Sequence, residues 1–113
     1  MKCPYCNNEA VWCENKELYG KNYGKSYMIY LCKPCNAYVG CHNNSKKALG
    51  TIANKELREW RKKAHLHIDP LWKSGKWTRK GVYKYLSKVF NREIHIGESD
   101  IETCRRILRL NFN

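Results

Sequence analysis

At 113 residues, the chain has room for one compact domain, or for a small metal module joined to a helical part. Hydrophobic residues make up 42% and aromatics 12%, a globular balance, and no apolar run is long enough to span a membrane. The net charge of +12, from 22 Lys and Arg against 10 Asp and Glu, draws polyanions and speeds their encounter. Only Met1 and Lys2 precede the first cysteine, so no signal peptide is expected, and the odd count of seven cysteines points to a reducing compartment, the cytoplasm.

In chain order, the first feature is Cys3-Pro4-Tyr5-Cys6. It is answered by Cys32-Lys33-Pro34-Cys35, with 25 residues between Cys6 and Cys32. A two-residue spacer lets both sulfurs of a pair turn toward one point, and two such pairs supply the four corners of a tetrahedral Zn²⁺ site. Such a closed site holds structure together and leaves no position for substrate. Two disulfides or free thiols are the alternative, and they suit a short chain with this spacing less well.

Between the pairs, Glu9–Glu14 has strand character. Lys16–Lys25 contains Gly20 and Gly24 and reads as a turn. Ser26–Leu31 is rich in β-formers and leads into Cys32. The expected product is a hairpin whose open end is clamped by zinc, too small for a core of its own, so that metal binding and folding are coupled. Ala37–Gly40 is a candidate third strand. At the hairpin tip, Lys21, Tyr23 and Lys25 are candidates for phosphate contact and base stacking, although the tyrosines serve equally well folded back on the ribbon. Cys41-His42 is a further possible ligand pair. Residues 43–50 read as a basic connector.

The helical part begins at residues 54–67, with Asn54 as N-cap, Leu57, Trp60, Ala64 and Ile68 at helical spacing, and Arg58, Arg61, Lys62 and Lys63 on the other face. Asp69-Pro70 should interrupt it, with Asp69 capping a new short turn through Leu71 and Trp72. After the break at Ser74-Gly75-Lys76, Thr78 caps a helix over Arg79–Phe90. Its apolar stripe is Val82, Leu86, Val89 and Phe90, and its basic ridge is Lys80, Lys84 and Lys88. Trp77 stands near its start. Ser99 and Glu102 have capping-box spacing before a last helix over about 100–110. That helix carries Ile101, Cys104, Ile107 and Leu108 inward and Arg105, Arg106 and Arg109 outward.

These motifs together resemble a family of small zinc-finger-containing proteins of bacteriophages and prophages: both Cys pairs, Asn36-Ala37-Tyr38-Val39-Gly40-Cys41-His42, Leu49-Gly50, Ala64-His65, Asp69-Pro70-Leu71-Trp72, His95-Ile96-Gly97 and Cys104-Arg105-Arg106. The resemblance implies a metal role for Cys3, Cys6, Cys32 and Cys35, and the cytoplasm of a bacterial host as the place of action. The first 40 or so residues are also similar to the zinc ribbons of bacterial type I topoisomerases, which bind single-stranded DNA.

The expected fold is a small α+β protein: an N-terminal zinc ribbon (1–50 with its connector) packed with a bundle of about three helices (51–113), holding one structural Zn²⁺. The expected function is non-catalytic nucleic-acid binding, DNA more than RNA, with little sequence specificity. The surface would comprise Lys21, Tyr23, Lys25, Arg58, Arg61, Lys62, Lys76, Trp77, Arg79, Lys80, Lys84 and Lys88. Two other readings are a module that binds a host protein and a metal-dependent nuclease built from His42, His65, His67 and Asp69. The nuclease lacks an acidic cluster.

Overall fold

A computed structural model describes residues 1–112. The protein is α+β and divides into two units, Met1–Glu56 and Leu57–Asn113.

In the first unit, β1 (Val11–Glu14), β2 (Met28–Cys32) and β3 (Ala37–Gly40) form an antiparallel sheet in the order β1-β2-β3. Val11 pairs with Leu31 and Glu14 with Met28, while Cys32 pairs with Ala37. The third strand therefore forms as its β-branched and aromatic residues suggest. Between β1 and β2, Lys16–Tyr19 makes a single helical turn, α1, where the sequence reads only as a loop. Gly20 ends it at φ 81°, and its N–H bonds the carbonyl of Lys16, a left-handed stop that glycine adopts without a Cβ clash. Residues 51–56, read as the start of the helical part, belong to the ribbon's unit. Ala53 exchanges both backbone hydrogen bonds with Tyr38, and Ile52 is buried with Cys3, Ala10, Cys32 and Ala37.

The helix α2 runs unbroken from Lys55 to Lys73, with Pro70 inside it, and belongs to the second unit from Leu57 onward. The interruption expected at Asp69-Pro70 does not occur. Proline forfeits one hydrogen bond, to Leu66, and crowds that carbonyl. Continuing the helix places Leu71 and Trp72 against the apolar cluster of Ala64, Ile68, Val82, Leu86, Phe90, Ile94, Ile96, Cys104 and Ile107, and burial of two large side chains outweighs the lost bond. Asp69 is accordingly not a cap; its carboxylate accepts from the Trp72 indole at 3.3 Å. Because Pro70 is exposed, Pro70→Ala should restore the missing bond and stabilise the protein by roughly 1–3 kcal/mol, measured by urea unfolding. A destabilised variant would show that the ring itself is needed.

Gly75, at φ 83°, ends α2. Thr78 caps α3 (Arg79–Phe90) as expected, its hydroxyl accepting from the N–H of Gly81 at 2.9 Å. The last helix, α4 (Ile101–Leu108), is capped differently from the sequence reading. Asp100 is the N-cap and accepts from the N–H of Thr103 at 2.8 Å, while the Ser99 hydroxyl turns back to donate to the carbonyl of His95. The backbone N–H of Thr103 holds the Asp100 carboxyl below its usual range, as a capping carboxylate should be.

Candidate metal centre and basic surfaces

The sheet register brings the two Cys pairs together. Cys32 is the last residue of β2, and its neighbour Leu31 pairs with Val11 at the start of β1, so the residues before β1 and after β2 meet at one end of the hairpin. Each pair is a tight turn closed by backbone bonds, from Asn7 N–H to the carbonyl of Cys3 at 2.8 Å and from Asn36 N–H to that of Lys33 at 3.1 Å. Both turns exit through an asparagine at positive φ, 65° at Asn7 and 49° at Asn36. Asparagine enters this left-handed region more readily than other residues with a Cβ. The sequence reading missed these two residues, although the signal, Cys-x-x-Cys-Asn occurring twice, was present.

The four Sγ atoms of Cys3, Cys6, Cys32 and Cys35 all lie within 4.8 Å of one another, with Cys6 and Cys32 at 3.6 Å. A tetrahedron with Zn–S bonds of 2.3 Å has edges of about 3.8 Å, so the donor set fits Zn²⁺ in kind, number and spacing. None of the four is joined in a disulfide, and their convergence on one point is the arrangement of a single metal site and not of two separate bridges. Cys3 and Cys32 are buried, while Cys6 and Cys35 are partly so. Burial alone would raise the Cys3 thiol, but the N–H groups of Tyr5 and Cys6 and the thiols of Cys32 and Cys6 together draw it down to about 7. Cys35 is pushed up to about 12, chiefly by its hydrogen bond with Cys6 and then by burial. Four sulfurs this close cannot all ionise beside one another without a counter-cation. A divalent ion resolves that conflict by displacing the protons. The centre is a closed site for one structural Zn²⁺.

Among the described residues no other group of three or more His, Cys, Asp or Glu converges. Cys41 is buried and paired through its backbone with Ala48, and the adjoining His42 is exposed in a 3₁₀ turn. Cys104 lies in the core of the second unit, and burial raises its thiol. His65 and Asp69 do share a face of α2, at 3.8 Å, while His67 meets the carbonyl of Leu110 at 3.2 Å.

The candidate nucleic-acid residues fall in both units. In the first, Lys21, Tyr23 and Lys25 are exposed on the loop after α1, and the Lys21 ammonium sits 5.1 Å from the Tyr23 ring centre. In the second, the candidates differ in what occupies them. Arg61 is half-buried and donates from Nε to the carbonyl of Ser99 at 2.9 Å, a structural bond. Arg58 is also half-buried. Trp77 packs edge-on against Phe112 at 5.8 Å and tilts on Tyr85 at 5.5 Å, so its ring serves the core's margin. Arg79 lies over Tyr83 at 5.1 Å. Lys62, Lys76, Lys80, Lys84 and Lys88 are all exposed, and among the described residues none has a carboxylate within ion-pair distance.

A family model described as a zinc-finger-containing domain, DUF3268, matches residues 1–113, and the chain belongs to that family. No curated protein and no solved structure matches it.

Proposed function

We propose that this zinc-finger protein binds nucleic acid without catalysing a reaction, holding phosphates through lysines and reading little sequence. The observation that carries the reading is the row Lys80, Lys84, Lys88. These lysines recur every fourth residue on the exposed face of α3, roughly 6 Å apart along the axis. Among the described residues no carboxylate lies within ion-pair distance of them, although the chain carries 10 acidic residues. Uncompensated charge at regular intervals suits a polyanion that repeats its own charge. Lys62, Lys76 and Arg79 extend the same character on the second unit, while Lys21, Tyr23 and Lys25 do so on the first. Phosphate contacts position a ligand but do not identify its bases, and so weak specificity is expected. The structural zinc and the charge agree with nucleic acid, and the resemblance of the first 40 or so residues in sequence to topoisomerase ribbons favours DNA as the ligand, met in a bacterial cytoplasm.

The test is fluorescence anisotropy of the zinc-loaded protein against labelled DNA and RNA across a salt series. Substituting Lys80, Lys84 and Lys88 together by alanine should weaken binding and flatten the slope of log K against log salt by about 2–3. Unchanged binding and slope would remove the α3 row from the interface.

One observation favours a second reading, contact with a protein. A hollow of about 400 Å³ on the ribbon is lined by Val11, Cys13, Leu31 and Pro34, with Glu9 and Glu17 beside them. Lys33 also lines it and pairs with Glu17 at 3.5 Å, so its floor is apolar and its margin mixed in charge, which suits a protein side chain better than a phosphate backbone. Absence of salt-sensitive binding to any nucleic acid would turn attention there.

A further inference from the structure

The loop after α1 is held far more firmly than an exposed, glycine-flanked turn requires. Asn15 is buried, and its side chain grips the backbone of Tyr23 at both ends. Its Nδ2 donates to the Tyr23 carbonyl at 2.9 Å, and its Oδ1 accepts from the Tyr23 N–H at 2.9 Å. Asn22 adds two further ties, accepting from the N–H of Lys16 at 3.0 Å and donating to Glu14 at 3.2 Å. Tyr19 is fixed from the other side, its hydroxyl 2.8 Å from that of Tyr38. This polar framework buries neither ring. Tyr19 and Tyr23 stay 49% and 51% exposed, and they meet at 89° with centroids 5.3 Å apart. They form the walls of an open hollow of about 420 Å³. The hydrogen bonds fix both residues in place while about half of each remains exposed.

We infer that the Tyr19–Tyr23 corner is a seat for one unpaired base of a single-stranded nucleic acid. The inference rests on the nucleic-acid reading above and adds the kind of strand and the point of contact. A tyrosine face stacks on any base, whichever it is, but only where that base shows its own face. In a duplex the faces are taken up by neighbouring pairs. The Lys21 ammonium over Tyr23 marks a place of favourable potential. The cation–π contact of an exposed lysine is weak, so an arriving base displaces it from the ring and leaves its charge, with that of Lys25, for the flanking phosphates. The framework is fixed before binding, so little conformational entropy is lost when the base docks.

The experiment uses the full, zinc-loaded chain and an oligothymidine carrying one 5-iododeoxyuridine, which crosslinks on irradiation to an aromatic ring stacked on it. Mass spectrometry should place the crosslink on Tyr19 or Tyr23. Tyr23→Ala should lower affinity for the single strand by roughly 5- to 150-fold, Tyr23→Phe should retain it, and affinity for duplex of the same length should not respond to either. Zinc content unchanged in both variants shows that the ribbon is folded. Binding with crosslinks only elsewhere, or equal losses on single strand and duplex, overturns the seat and leaves the nucleic-acid reading standing. No binding to any strand overturns both.

Discussion

Cys32→Ala is expected to abolish zinc binding and unfold the first unit. Elemental analysis should fall from one zinc per chain to none, and the amide dispersion of residues 1–56 should collapse. The reason is the balance between a very small apolar cluster and a large metal term. Apart from the ligands, the large apolar side chains that the described residues of this unit bury are Met28, Ile29, Leu31 and Ile52, with the smaller Ala10, Ala37, Cys41 and Ala53 between them. Structural zinc contributes an apparent 10–16 kcal/mol in small modules at neutral pH, roughly, whereas four such side chains at about 1.5–3 kcal/mol each do not offset the entropy of ordering about 50 residues. Cys32 is also the residue through which metal and sheet are joined, since it closes β2 and pairs with Ala37. A chelator should act on the native protein as the substitution does. Lowering the pH should too, because protons compete for the four sulfurs. Helical circular dichroism should largely survive, because the second unit has its own apolar cluster. Cys13→Ser and Cys41→Ala should keep the full metal content, as neither lies in the sulfur cluster. Retention of one zinc by Cys32→Ala, or its loss in Cys41→Ala, would show that the ligand set is wrong.

The centre was legible because its signal is local: two spacers of two residues decide which sulfurs can converge. The same holds for Thr78, whose hydroxyl caps a helix that starts at the next residue. What could not be read depended on partners distant in sequence or on choices between equivalent local signals. Ser99 and Asp100 are both good caps, and the hydrogen bond from Ser99 to His95 decides between them. Pro70 reads as a stop until the burial of Leu71 and Trp72 is known. Trp77 reads as an exposed stacking residue near a basic helix, yet its neighbour Phe112 lies 35 positions on. Asn15, which orders the tyrosine loop, carries no motif at all; its role exists only through the position of Tyr23.

The second large effect separates two residues that the apolar stripe of α3 treats alike. Leu86→Ala should cost about 2–5 kcal/mol, read as a lower urea midpoint. Leu86 is fully buried, with Val82 and Phe90 at four-residue steps on the same side of the helix. Truncation removes its transfer free energy and leaves a cavity bounded by side chains from other elements that collapse only in part. Val89, one position before Phe90, belongs to the expected stripe but is 39% exposed. Val89→Ala should stay within about 0.5 kcal/mol of neutral, because the methyls lost were largely hydrated and alanine is the better helix former. The helical period fits the difference: steps of four advance about 40° each, so Val82, Leu86 and Phe90 spread over about 80° with Leu86 at the middle, and Val89 falls about 60° from Leu86, just outside that arc beyond Val82. Both variants should retain one zinc per chain, since neither residue lies in the metal unit. Equal destabilisation by the two would mean that Val89 packs in the core as Leu86 does, against its exposure in the fold.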